Sequence, residues 1–178
     1  MIPERSTTGP ADSPPAGPAA RRAELARRLA EVEQRIREAC AAAGRRREEV
    51  TLIAVTKTYP ASDVRLLAEL GVTDIGENRD QEASAKARDC ADLPLTWHFI
   101  GQLQTNKVKS VVSYATMVHS VDRLRLVRAL GVAAVRAGRE IDCLVQVALE
   151  KDPDPGRGGV PPEGVPEIAE AVAGTDGL

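Results

Sequence analysis

Aromatic side chains are nearly missing from this chain: one Trp, two Tyr and one Phe make up 2% of its 178 residues. That scarcity argues against the stacking platforms on which single-stranded nucleic acid is held. It also leaves the core to Val, Leu, Ile and Ala. An excess of one charge sign is missing too, since the formal net charge is −2. There is accordingly no global pull toward nucleic acid or an anionic membrane. Cysteine is sparse: Cys40, Cys90 and Cys143 are odd in number and far apart, which fits a reducing cytoplasm rather than a disulfide framework. Neither their spacing nor the two histidines, His98 and His119, composes a metal-ligand cluster. No apolar run reaches bilayer-spanning length, and the N-terminus lacks the apolar core of a signal peptide. No G-x-G-x-x-G follows the first strand and no Walker A sequence occurs, so neither common phosphate-binding loop is available.

What is present reads as one domain with a real core: 43% hydrophobic and 28% charged residues over a sufficient length. Residues 1–20 are rich in Pro, Ala, Gly and Ser and are expected to be a disordered tail. From residue 21, Leu25, Leu29, Val32 and Ile36 recur at helical spacing, predicting a long amphipathic helix that ends near Gly44. The Arg45-Arg46-Arg47 run after it reads as a solvated basic turn rather than a nucleic-acid patch.

The chain is organised around residues 51–57, Thr-Leu-Ile-Ala-Val-Thr-Lys. A short run rich in β-branched residues reads as a strand buried on both faces. Pro60 marks its exit into a loop. Further strands are predicted at 72–75, 95–100, 115–119 and 141–149. Helices are predicted at 61–70 (closed by Gly71 in a C′ role), 79–90, 103–112, 123–137 and 163–173. A Pro/Gly/Asp loop covers 150–162. Alternating short strands and helices at roughly thirty residues or fewer per unit imply a parallel α/β sheet with helices outside. The missing dinucleotide fingerprint favours a (β/α)8 barrel of the TIM type over an open doubly wound sheet. A barrel needs eight strands and typically ~250 residues, and this chain shows about five to six βα units. Residues 21–178 are therefore expected to be a partial barrel domain, truncated at its C-terminal end.

Barrels place their chemistry at the carboxyl ends of strands, which is where Lys57 falls. A reactive amine must be neutral, whereas free lysine is protonated at pH 7, so a site must suppress its charge by burial or nearby positive charge. Among the five lysines, Lys57 is placed best for this, while Lys107 and Lys109 fall on an outer helix. The plain alternative is that Lys57 marks where a strand reaches water. Asn78 ends the second strand and can donate or accept at the same mouth, though Gly76-Glu77-Asn78 is also good turn chemistry. Glu77 either tunes a neighbour or caps the next helix. His98 is expected to be buried and bonded to backbone, and Asp122 to cap the helix that follows it.

Four motifs in register carry a resemblance: Val55-Thr56-Lys57-Thr58; Gly76-Glu77-Asn78 with Gln81-Glu82; Trp97-His98-Phe99-Ile100-Gly101 with Leu103-Gln104 and Asn106-Lys107; and His119-Ser120-Val121-Asp122. Together they resemble the pyridoxal phosphate homeostasis proteins, the YggS/PROSC family, over all but the tail. The resemblance implies a fold like the N-terminal barrel of alanine racemase. It implies pyridoxal 5′-phosphate (PLP) held as a Schiff base on Lys57, and a role in binding and supplying the cofactor without robust turnover. Asn78 joins Lys57 as a cofactor-binding candidate. The implied partners are the cofactor and, transiently, PLP-dependent apo-enzymes; a monomer is expected, with no nucleic acid and no membrane.

The sequence departs from the family at three places. Arg79 stands where many members have tyrosine, Tyr59 where many have a second lysine, and Arg157-Gly158-Gly159 where many have Lys-x-Gly. The groups that grip the phosphate in the family follow later strands and are not among these residues, so weaker cofactor binding is expected than from a complete barrel. Two other functions compete: a PLP-dependent amino-acid racemase, and a barrel fragment that binds nothing.

Overall fold

A computed structural model of the chain describes residues 17–150 and 158–178. Most of the expected tail, residues 1–16, lies outside them, as do residues 151–157 of the loop, Arg157 among them. The chain divides into two compact units, Met1–Glu49 and Val50–Leu178.

In the first unit, helix α1 spans Pro18–Ala42. Proline is tolerated in a first helical turn, where its missing N–H is not needed, so the helix starts ahead of the position that periodicity alone marks. The basic turn is neutralised locally. Arg47 donates to Glu33 through Nε at 2.9 Å and through a terminal nitrogen at 2.7 Å, while Arg45 and Arg46 both reach Glu49.

The second unit alternates strand and helix: β1 (Ile53–Val55), α2 (Ala61–Glu69), β2 (Asp74–Glu77), α3 (Asp80–Asp89), β3 (Thr96–Phe99), α4 (Val108–Val112), β4 (Met117–Val121), α5 (Leu124–Ala137), β5 (Asp142–Val145) and α6 (Val165–Ala173). Short 3-10 turns precede α4 and α6. The strands form a sheet in the order β1-β2-β3-β4-β5, and every pairing is parallel. This is the expected barrel-type α/β architecture, with five strands among the described residues against the eight of a closed barrel.

Register sorts the side chains. Ala54, Ile75 and Trp97 share one face with Glu77, Phe99, Val118 and Cys143. Phe99 and Val118 pack there with Val111, Val112, Leu126, Leu130 and Ile168 from the helices. The opposite face carries Val55, Gly76, His98, Met117 and Leu144, and a closed barrel keeps that face inside. Here Val55 is 46% exposed and Leu144 47%. The first strand is therefore not buried on both faces as its apolar run predicts. It pairs with β2 alone, and among the described residues little covers its second face. The fifth strand stops at Val145 although its apolar run continues to 149. Its partner β4 ends at Val121, so beyond that level the ladder has nothing to pair with, and the chain makes only an isolated bridge, Val147 to Val160.

Candidate functional site at the carboxyl ends of the strands

Lys57 follows β1 in a tight turn and is exposed. The described residues therefore do not bury it, and the expected apolar setting is absent. The parallel register pairs Val55 with Gly76, and Thr56 N donates to Gly76 O at 3.0 Å. Counted two residues beyond that pair, past the end of the β1–β2 ladder, the same register would put Lys57 level with Asn78. Asn78 is half-buried. It lines a cleft of about 300 Å³ with Arg79, Gln102, Gln104 and Lys107 among others. Lys107 thus belongs to the strand-end surface and not to a remote helix. The 3-10 turn at Thr105–Lys107 separates it from α4, which the single predicted helix over 103–112 hides.

Behind Lys57 lies a charged group that sequence reasoning missed. Lys86, on α3, is buried, as is Glu77 at the end of β2. Lys86 Nζ donates to Glu77 Oε1 at 2.6 Å and to Thr56 O at 2.7 Å. The Thr56 hydroxyl donates to the same Glu77 oxygen at 2.6 Å. Among the described residues Glu77 Oε2 has no hydrogen-bond partner. Glu77 therefore binds Lys86 and Thr56 and does not cap α3, which has no side-chain cap. A signal for Lys86 was present: Ala83, Lys86 and Cys90 recur at helical spacing and all three are buried, so this lysine interrupts an apolar stripe.

The turn itself is strained. Thr58 has φ 69, a left-handed conformation that costs a β-branched residue of order 1–3 kcal/mol. Thr58 N donates to Glu82 Oε2 at 3.3 Å, and Tyr59 N donates to Thr56 O at 3.1 Å.

On the barrel-interior face, His98 is buried as expected, yet its partners are side chains and not backbone. One ring nitrogen lies 3.0 Å from Asp74 Oδ1 and the other 3.0 Å from His119 Nε2. Parallel register brings the three together across β2, β3 and β4. Burial, and secondarily the neighbouring His98, lower the pKa of His119. Asp122 does not cap α5. It accepts from Gly159 N at 3.1 Å and pairs with Arg123, tying the loop after β5 to the end of β4. Among the described residues no cluster suits a metal ion, and no helix is long and apolar enough to cross a membrane.

Residues 28–178 match the family described as "Alanine racemase, N-terminal domain". A pyridoxal phosphate homeostasis protein of Pseudomonas aeruginosa is 42% identical, covering 83% of this chain and 64% of its own length. That of Mycobacterium bovis is 40% identical over 177 residues, covering 89% of this chain and 68% of its own length. The solved structure of PipY from Synechococcus elongatus with PLP bound superimposes with a TM-score of 0.63 at 34% identity, over 76% of this chain and 64% of that one. This chain spans 60 to 68% of the length of the curated relatives it matches. On the strength of the match over residues 28–178 and of the Mycobacterium relative, the chain belongs to the pyridoxal phosphate homeostasis protein family, which shares the fold of the alanine racemase N-terminal domain.

Proposed function

We propose that this chain binds pyridoxal 5′-phosphate in cofactor homeostasis, holding it covalently through Lys57 with Asn78 beside it, and that it carries out no robust turnover. The observation that carries the reading is the placement of Lys57. It is exposed just past the carboxyl end of β1, in a chain 40% identical to a homeostasis protein over 177 residues. The PLP reported in PipY supports the choice of cofactor. The cofactor supplies an aldehyde that condenses with an amine, forming a C=N bond and releasing water.

Two residues at the strand ends suit part of such a ligand. Lys57 offers an accessible amine. Asn78 offers an amide that can donate or accept, on a cleft lined by Arg79, Asp80 and Lys107 among others, where Lys107 supplies a cation that an anionic group can meet. In the proposed role Lys57 holds the ligand and Asn78 orients its ring. The protein acts as a monomer in a reducing cytoplasm, meeting PLP-dependent apo-enzymes transiently. The free thiols of Cys40, Cys90 and Cys143 suit that compartment. Burial raises the pKa of Cys143 to about 11, which keeps it from acting as a nucleophile.

Titration of the chain with PLP tests the reading. The expected outcome is a visible band near about 420 nm, a property of the cofactor linked to an amine, that is lost in Lys57→Ala. An unchanged band in Lys57→Ala removes Lys57 from the site.

A further inference from the structure

The Lys57 side chain is exposed, but the backbone on both sides of it is held. The peptide that precedes it ends in Thr56 O, which accepts from Lys86 Nζ at 2.7 Å and from Tyr59 N at 3.1 Å. A carbonyl oxygen has two lone pairs, and both are used. The N–H that follows Lys57, that of Thr58, donates to Glu82 Oε2 at 3.3 Å. The Thr56 side chain is held in turn by Glu77 Oε1 at 2.6 Å, the same oxygen that meets Lys86. Side chains of β2 and α3 thus grip the turn from outside β1.

Two features give this grip a meaning beyond packing. Thr58 sits at φ 69, and a threonine stays there only when its surroundings over-determine it. The grip also includes a buried ion pair, and a buried pair is weak evidence for stability, since apolar replacements of similar volume are often neutral or better. Without the ties from α3, Thr58 relaxes toward negative φ and the 56–57 peptide turns, so the Cα–Cβ direction of Lys57 changes.

We propose that Lys86, Glu77 and Glu82 are positioning residues for Lys57: they hold the strained turn so that its amine faces the ligand side of the strand ends. The proposal rests on the reading of Lys57 as the point of attachment. When that amine attacks, its nitrogen forms the new bond to the aldehyde carbon and the aldehyde oxygen leaves as water. Lys86 takes no part in the bonding and fixes where the attacking nitrogen stands. An amine displaced from its attack position loses rate steeply.

The test is the double variant Glu77→Gln/Lys86→Met, which removes both buried charges together, compared with Lys86→Arg, which keeps a charged donor. Two readouts are taken on the full chain. One is the rate at which borohydride-trapped PLP appears on Lys57 by mass spectrometry. The other is amide hydrogen exchange at Tyr59. In the double variant the expected result is a thermal midpoint close to the parent's, with trapping slower and Tyr59 exchange faster, each on the order of tenfold. Lys86→Arg is expected to retain most of the parent's trapping rate. A folded double variant that traps PLP at the parent's rate, or whose Tyr59 amide exchanges as in the parent, overturns the proposal. Absence of any Lys57 adduct in the parent chain instead defeats the attachment reading. The Tyr59 comparison then still decides whether the grip exists.

Discussion

Gly101 stands where the chain leaves β3 beside the end of β2, and a side chain there has no space. A Cβ would lie 2.1 Å from the backbone oxygen of Asn78 and 2.9 Å from its Cα. These atoms cannot yield as the tip of a flexible side chain can. Gly101→Ala is therefore expected to destabilise the fold by about 1–3 kcal/mol, read as a lower urea midpoint at unchanged slope. It is also expected to shift Asn78, and under the role proposed for Asn78 cofactor affinity falls with stability. The sequence marks Gly101 as a strand end but is silent on the close approach, which depends on two strands lying side by side. The strand-end positions of Lys57 and Asn78 are legible because strand ends follow from short apolar runs. The burial of Lys86 is hinted at by its place in the α3 stripe with Ala83 and Cys90, but its pairing with Glu77 is not legible, because nothing nearby in the sequence reveals that partner. His98 shows the same limit. Its burial follows from its place within an apolar strand, but its bonds to Asp74 and His119 need the register of three strands.

Among the elements, the helices are the most legible, because their ends are written in local chemistry. The C′ role expected of Gly71 is met: its φ is 89 with nothing within 4 Å of a Cβ, and Val72 N reaches back to Leu67 O at 3.0 Å, the long bond that closes such a helix end. Gly71→Ala is expected to cost about 1 kcal/mol, all of it from the left-handed backbone and none from a clash, with PLP binding unchanged. Thermal unfolding compared with ligand titration checks both halves. Helix α5 packs by its apolar face, with Leu126, Val127, Leu130 and Ala134 buried. Leu130→Ala is expected to destabilise by about 2–5 kcal/mol, measured by urea unfolding. Strands are less legible at their ends. Their extent depends on whether a neighbour is present to pair with, which cuts β5 at Val145 although its apolar run continues.

For the whole molecule, the sheet joins ionisable groups that are distant in sequence, and this gives stability a pH dependence. The lowered pKa of His119 means that the folded chain takes up that proton later than the unfolded chain as pH falls. Between the ordinary histidine value, about 6.5, and the lowered one, the unfolded state holds more protons. Stability contributed by this group is therefore present above about pH 6.5 and is lost as pH drops through that window. His119→Asn is expected to flatten this part of the profile; urea midpoints between about pH 5 and 8 check it. The expected parallel α/β architecture is the structure found, since the alternation of apolar runs and amphipathic helices allows few other topologies. The exposed Val55 and Leu144 were not legible, because exposure is a property of the assembled sheet and not of the runs.

The claim on which the account stands is tested most directly by reducing the chain with borohydride in the presence of pyridoxal 5′-phosphate and mapping the modified residue by mass spectrometry. A cofactor adduct is expected on Lys57, with Lys86 unmodified because it is buried against Glu77 and Thr56. An adduct confined to Lys107, Lys109 or another surface amine, or no saturable adduct at all, would contradict it.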